Sequence, residues 1–402
     1  MTQAAAGALA PTMSRPPTIE NLKALTSLRF FAAMMIVVLH GSNSLDWPWL
    51  RGAPLSLAQG VSFFFVLSGF ILTHVYGDRP PGSILAFMRA RVARLWPVHV
   101  VGIVLLVVSV APDSITFDGP GIFSKWVVLG FNAILVHSAF PFLAYTFSWN
   151  SVSWSISTEM FFYLAFPSLL VNIERTWHWK LLGAALLAAA LIAVLRIAAV
   201  PIESSDFNRM TAGYATYPSP LMRGFEFVLG MSTNVLWRKY LSRRSRSLWW
   251  WTAVEAIALA VCAWWMLAGF HAVQRQFPNP WFNLFFQPAG SCWAFALAIG
   301  CLASGRGLVG RLLSVRPLVF LGEISFSIYM LHLILIKAFV TTLAWPGVPE
   351  FVYFGALFVL ATTVYLLVEK PAQRLLRGGS KAKMLHPPIT DASSGKVVRT
   401  EA

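Results

Sequence analysis

Leu25-Thr26-Ser27-Leu28-Arg29-Phe30-Phe31-Ala32-Ala33-Met34-Met35-Ile36-Val37-Val38-Leu39-His40 is the stretch that decides the fold. It is apolar enough to span a membrane, yet it holds an arginine and a histidine with ten residues between them. On a helix an eleven-residue step rises about 16 Å, roughly half the hydrocarbon thickness of a bilayer. A guanidinium near one face and an imidazole well across are costly in lipid, so a functional role is the first reading. A snorkelling arginine and a histidine bonded to a neighbouring helix are the plain alternative.

The rest of the chain extends that pattern. Of 402 residues 57% are hydrophobic and 12% charged, and apolar runs of spanning length recur from Leu25 to Glu369. The fold class is therefore all-α integral membrane. Seventeen Trp and thirty-one Phe suit interfacial belts and lipid-facing surfaces. Cys262, Cys292 and Cys301 all lie in apolar spans, which argues against a disulfide framework or a metal site. The net charge of +15 would suit nucleic acid, but its basic residues sit in short loops between spans, so topology explains it and no nucleic-acid partner is expected. Residues 1–23 read as a flexible cytoplasmic tail, not a signal peptide, 24–377 as one membrane domain, and 378–402 as a disordered cytoplasmic tail.

Charge sets the crossings. Arg79, Arg89, Arg91 and Arg94 mark one cytoplasmic connection. Arg175 and Lys180 mark another, Arg238 to Arg246 a third, and Arg306 to Arg316 a fourth. All four share one side only if an odd number of spans is removed between Arg94 and Arg175. The weakest is the segment near 121–140, broken by Lys125, Asn132 and His137, so it is expected to be re-entrant or to lie on the outer face. That leaves about ten transmembrane helices in one bundle, near 24–43, 57–77, 93–112, 153–172, 180–200, 219–237, 248–269, 283–303, 318–340 and 351–369. Both termini are then inside the cell, and the chain is a multi-pass protein of the inner (cytoplasmic) membrane.

Further polar residues punctuate these spans. Ser68-Gly69 in the second permits close helix approach. Arg91 and Arg94, three apart, share a helix face and could grip a phosphate-bearing ligand or anchor the helix beside anionic lipid. Ser155, Glu159 and Tyr163 recur every four residues and line one face of the fourth span. Glu159 falls at the depth of His40, where a carboxylate could orient an imidazole and support its protonated form. Pairing of Glu159 with an arginine such as Arg223 or Arg196 is the structural alternative. His74 and His99 flank the arginine loop, where solvated interface positions compete with donor contacts. His137 sits in the doubtful segment, while His178, His271 and His386 carry no signal.

In order along the chain, these motifs resemble the acyltransferase-3 family of integral-membrane acyltransferases. The resemblance runs from about Leu25 to Arg377. It rests on Leu28-Arg29 with His40, on Phe64-Phe65-Val66-Leu67-Ser68-Gly69-Phe70, on Arg91 and Arg94, and on Ser153-Trp154-Ser155 followed by Glu159. Gly322-Glu323-Ile324-Ser325-Phe326-Ser327-Ile328-Tyr329 with His332, and Glu369-Lys370-Pro371, complete it. The resemblance implies transfer of an acyl group, usually acetyl, to an extracytoplasmic glycan, polysaccharide or glycolipid. It implies His40 and Glu159 as catalytic residues, and Arg29, Arg91 and Arg94 as donor-binding. Ser153, Ser155, Tyr163, Ser325, Ser327, Tyr329 and His332 are left as acceptor-binding or supporting residues. It also implies no permanent cofactor, acetyl-CoA or another acyl-CoA as co-substrate, and membrane lipids as surroundings. Some members add a C-terminal SGNH-type domain. This chain reads as the form without it, which transfers directly or works with a separate partner protein. A transporter or flippase using the same polar layer is the rival reading, although no two-fold repeat of hydropathy supports it.

Overall fold

The computed structural model describes residues 22–45, 47, 56–116, 124–206 and 208–376. The two expected tails fall almost wholly outside the described residues, as does 121–123 of the doubtful segment. Among the described residues every regular element is a helix. In chain order the helices are α1 (Lys23–Ser44), α2 (Gly60–Tyr76), α3 (Ile84–Ser109), α4 (Lys125–Ala133), α5 (Leu143–Phe147), α6 (Trp154–Leu170) and α7 (Ile173–Ile197). There follow α8 (Ala212–Thr216), α9 (Pro220–Tyr240), α10 (Leu248–Trp264), α11 (Phe270–Gln276), α12 (Pro280–Ala289) and α13 (Cys292–Leu302). The last four are α14 (Leu308–Leu313), α15 (Arg316–Lys337), α16 (Glu350–Val364) and α17 (Lys370–Leu376). Their starts are chemically marked. Ser83, Ser247 and Asn279 cap α3, α10 and α12 by accepting backbone N–H bonds, and proline opens α9, α12 and α15.

Among the described residues eight segments are long and apolar enough to cross a membrane: Lys23–Ser44, Leu57–Tyr76, Ile84–Ser109, Ile173–Ile197, Leu248–Gln276, Pro280–Leu302, Arg316–Thr342 and Glu350–Leu375. The two other expected crossings exist as helices but differ in character. Helix α6 has only 17 residues. Helix α9 carries Arg223, Glu226, Arg238 and Lys239 among its 21. Its inner pair is self-compensating, since Arg223 Nε lies 2.7 Å from Glu226 Oε2 with both side chains buried. The pair is further enclosed by Phe65, whose ring centre is 5.0 Å from the guanidinium.

Close backbone contact fixes the centre of the bundle. A Cβ on Gly69 would overlap the carbonyl oxygen of Phe227, and one on Gly230 would overlap that of Val66. These reciprocal glycines seat α2 against α9. Gly322 does the same for α15, where a Cβ would strike the carbonyl of Thr26 on α1. The loops expected to be cytoplasmic are laced together by Arg238, bonded to Asp78 at 2.6 Å, and by Arg306, which donates to the carbonyls of Ser242 and Arg244.

The doubtful segment is resolved by length and partners. Helix α4 has nine residues and rises about 14 Å, under half the hydrocarbon thickness. Asn132 and His137 are fully buried. His99 Nε2–H of α3 donates to the Asn132 carbonyl at 3.0 Å, and Ser157 Oγ of α6 accepts the Ser138 N–H at 3.1 Å. Trp96 Nε1–H donates to the carbonyl of Ala133 at 3.0 Å. Irregular backbone within a bundle must be paired by protein, and here α3 and α6 supply the partners. The segment is inserted between those helices. It follows that His99 is no solvated interface residue, and His74 is also buried, beside Trp237.

Candidate active site

Helices α1, α3 and α6 bring Arg29, Arg91, Arg94, Glu159 and Tyr163 to one cavity of about 230 Å³. Helices α2 and α15 close it with Phe64, Phe65, Ser68 and Tyr329, and Ser155 lines it from α6. Three guanidiniums from two helices thus open on one space. The Arg91 guanidinium lies 5.5 Å from the centre of the Phe87 ring and 5.8 Å from that of Tyr163. Its Nε is shielded from solvent and has no hydrogen-bond partner among the described residues. Such a held but under-used fork is suited to an anionic ligand.

Glu159 belongs to this cavity. It accepts hydrogen bonds from Ser68 Oγ at 2.8 Å and from Tyr163 Oη at 2.5 Å. It is also within electrostatic reach of Arg29, as is Glu369. The pairing expected with His40 is replaced by this arrangement, because Glu159 is not at the depth of His40. Ser155, one turn before it, already meets Tyr329, a turn short of His332, and Glu159 lies a further turn toward Arg29. Of the arginines named as structural partners, Arg223 is engaged by Glu226 instead. Ser68, first read as a small packing residue, is a ligand of the carboxylate.

Glu369 was missed as a site residue. It closes a π-helical turn, Tyr365–Glu369, is 5% exposed, and accepts from Ser327 Oγ at 2.9 Å and Gln373 Nε2 at 3.2 Å. An acid at the end of an apolar span was signal enough to flag it. Ser327 therefore serves Glu369, whereas Ser325 returns its hydroxyl to the carbonyl of Gly322 at 2.8 Å. Ser155 and Tyr329 do meet, hydroxyl to hydroxyl, at 2.9 Å. Ser153 faces away from the cavity and contacts His137 Nε2 at 3.2 Å.

His40 is half-buried and does not line the cavity. Its Nδ1 lies 2.8 Å from Nε2 of His332, which is fully buried on α15. His332 Nδ1 is 2.6 Å from the carbonyl oxygen of Tyr329, and the His332 carbonyl accepts from Tyr353 Oη at 3.0 Å. Tyr329 is the link between the two regions, for its side chain lines the cavity and its carbonyl anchors the histidine pair.

Comparison with known proteins gives the family. The family described as an acyltransferase domain matches residues 22–370. Acyltransferase MdmB of Streptomyces mycarofaciens is 29% identical over 414 residues, covering 94% of this chain and 98% of that protein. Nodulation protein 10 of Rhizobium leguminosarum bv. viciae is 26% identical over 385 residues, 87% of this chain and 92% of its own. O-acetyltransferase OatA of Staphylococcus aureus is 25% identical over 370 residues, 88% of this chain but 57% of its own length. No solved structure matches. The chain belongs to the acyltransferase-3 family and is a multi-pass membrane O-acyltransferase.

Proposed function

We propose that this enzyme moves an acyl group, acetyl in the first instance, from cytoplasmic acyl-CoA to a hydroxyl of an extracytoplasmic glycan or glycolipid. The observation that carries the reading is the shared cavity of Arg29, Arg91 and Arg94, which is also lined by Tyr329, the residue anchoring the histidine pair. Three guanidiniums suit the phosphates of a CoA donor, and walls of Phe64, Phe65 and Leu95 suit its less polar arm. Both termini then face the cytoplasm, with His40 toward the outer surface.

His40 Nε2 takes the acceptor hydroxyl proton as the oxygen attacks the thioester carbonyl. The new C–O bond forms, the C–S bond breaks, and the departing thiolate receives that proton to give free CoA. Assistance of this kind contributes about 10²–10⁴-fold. Glu159 and Glu369 act on the donor side as counter-charges that keep three like charges together before the donor arrives.

The test is direct. Full-length protein in proteoliposomes is given labelled acetyl-CoA and a glycolipid extract of the host membrane. Stoichiometric release of free thiol and transfer of label to the extract are expected. Absence of both with acetyl-, propionyl- and longer acyl-CoA would overturn the donor assignment.

A further inference from the structure

The His40–His332 contact has one consistent distribution of protons. The two rings are within 6° of parallel with centroids 5.1 Å apart, and the 2.8 Å nitrogen–nitrogen contact accounts for most of that distance. The rings therefore meet edge to edge, along the direction of an N–H bond and a lone pair. At the far edge of His332, Nδ1 lies 2.6 Å from the Tyr329 carbonyl oxygen. A carbonyl oxygen only accepts, so Nδ1 of His332 must carry a proton. A neutral imidazole has one N–H, which leaves Nε2 of His332 as a bare acceptor. His40 must then present Nδ1–H to it, and the proton of neutral His40 is used up there. Nε2 of His40 is left with its lone pair free.

We propose that His332 is the positioning residue that holds His40 in the tautomer whose Nε2 accepts the acceptor's proton. This rests on reading His40 as the base. The reversed arrangement, with His332 Nε2–H donating to His40, would set two lone pairs face to face across 2.6 Å at Tyr329. A charged His332 would need a counter-ion, and among the described residues no carboxylate acts on either ring. The frame around His332 is fixed from the other side as well. Its carbonyl is held by Tyr353, whose ring packs 5.4 Å from that of Trp47, and Trp47 lies against Gly41, the residue after His40. Loss of His332 would free the His40 ring to turn and to place its proton on either nitrogen. During transfer the imidazolium formed at His40 keeps its Nδ1–H bond to His332, so no proton need pass beyond His40.

Two measurements on the full-length protein in nanodiscs test this. Nitrogen-15 spectra of histidine-labelled protein, assigned with His40→Ala and His332→Leu, should show His40 protonated at Nδ1 and bare at Nε2, and lose that signature in His332→Leu. Turnover of acetyl-CoA with the glycolipid extract should fall about 10²-fold or more in kcat for His332→Leu, with KM for acetyl-CoA within about twofold. His332→Gln, which keeps an acceptor oxygen at the right reach, should regain about tenfold of that loss. A bare Nδ1 on His40, or unchanged kcat in His332→Leu of wild-type thermal stability, would overturn the proposal. Should the wild type not turn over any acyl-CoA, the function fails while the tautomer result still decides the role of His332.

Discussion

The arginine cavity and the histidine pair are built on opposite principles. The cavity collects charge: Arg29, Arg91, Arg94 and Glu159 line it, hydroxyls from Ser68 and Tyr163 tie Glu159 down, and Glu369, outside the lining and held by Ser327, lies within electrostatic reach of Arg29. Each group there has several neighbours, so losing one leaves the rest in place. The histidine pair is a single file of three hydrogen-bonding groups, His40, His332 and the Tyr329 carbonyl, with no charge and no redundancy. A region that must hold a large anion gains from many graded contacts. A region that must move one proton gains from one unambiguous path. Donor binding should therefore erode gradually under mutation, whereas chemistry should fail at a single residue.

The sharpest way to break that contrast is His40→Ala. Transfer should drop by the whole contribution of base assistance, about 10²–10⁴-fold, while acetyl-CoA binding by calorimetry stays as in wild type. Equal losses of binding and turnover would merge the two regions into one site. Next come Arg91→Ala and Arg94→Ala, each expected to raise the donor Kd about ten- to hundredfold, the range for a charged hydrogen bond, without lowering kcat at saturation. Lysine at either position should recover only part, because the point charge returns but the planar fork does not. Unchanged affinity in the folded double variant would return both residues to a membrane-anchoring role.

These tests also show what the sequence made legible. Polar residues in apolar helices announced themselves: Arg29, Arg91, Arg94, Glu159 and His40 are each expensive in lipid, and four of the five line one cavity. Segment lengths and loop charges were enough to find the helices and to doubt 121–140. What stayed hidden was which helices touch. His40 and His332 are 292 positions apart, and no periodicity in either helix names the other as neighbour. That neighbourhood is set by Gly322 against Thr26, a contact ten residues before His332 and fourteen before His40. Glu159 was misdirected for the same reason. Its depth depended on how α6 is set against α15, where Ser155 meets Tyr329 and leaves Glu159 nearer Arg29 than His40, and its direction on α2 bringing Ser68 within 2.8 Å.

The smallest expected effect is the most discriminating. Glu159→Gln keeps an oxygen able to accept from Ser68 and Tyr163, and it removes the negative charge that Arg29 feels. If Glu159 belongs to the cavity, the site becomes more positive and anionic donor should bind more tightly. Water reaches the cavity and Glu369 remains as a second acid, so the gain is that of a screened pair, up to about fivefold in KM. The value of kcat should stay within about twofold, since the histidine file is untouched. If Glu159 instead supported the imidazolium of His40, the pattern would invert, with kcat falling and KM unmoved. Steady-state kinetics with acetyl-CoA as the varied substrate separates the two, and a fall in kcat would join the carboxylate to the histidine pair and end the division of labour between the two regions.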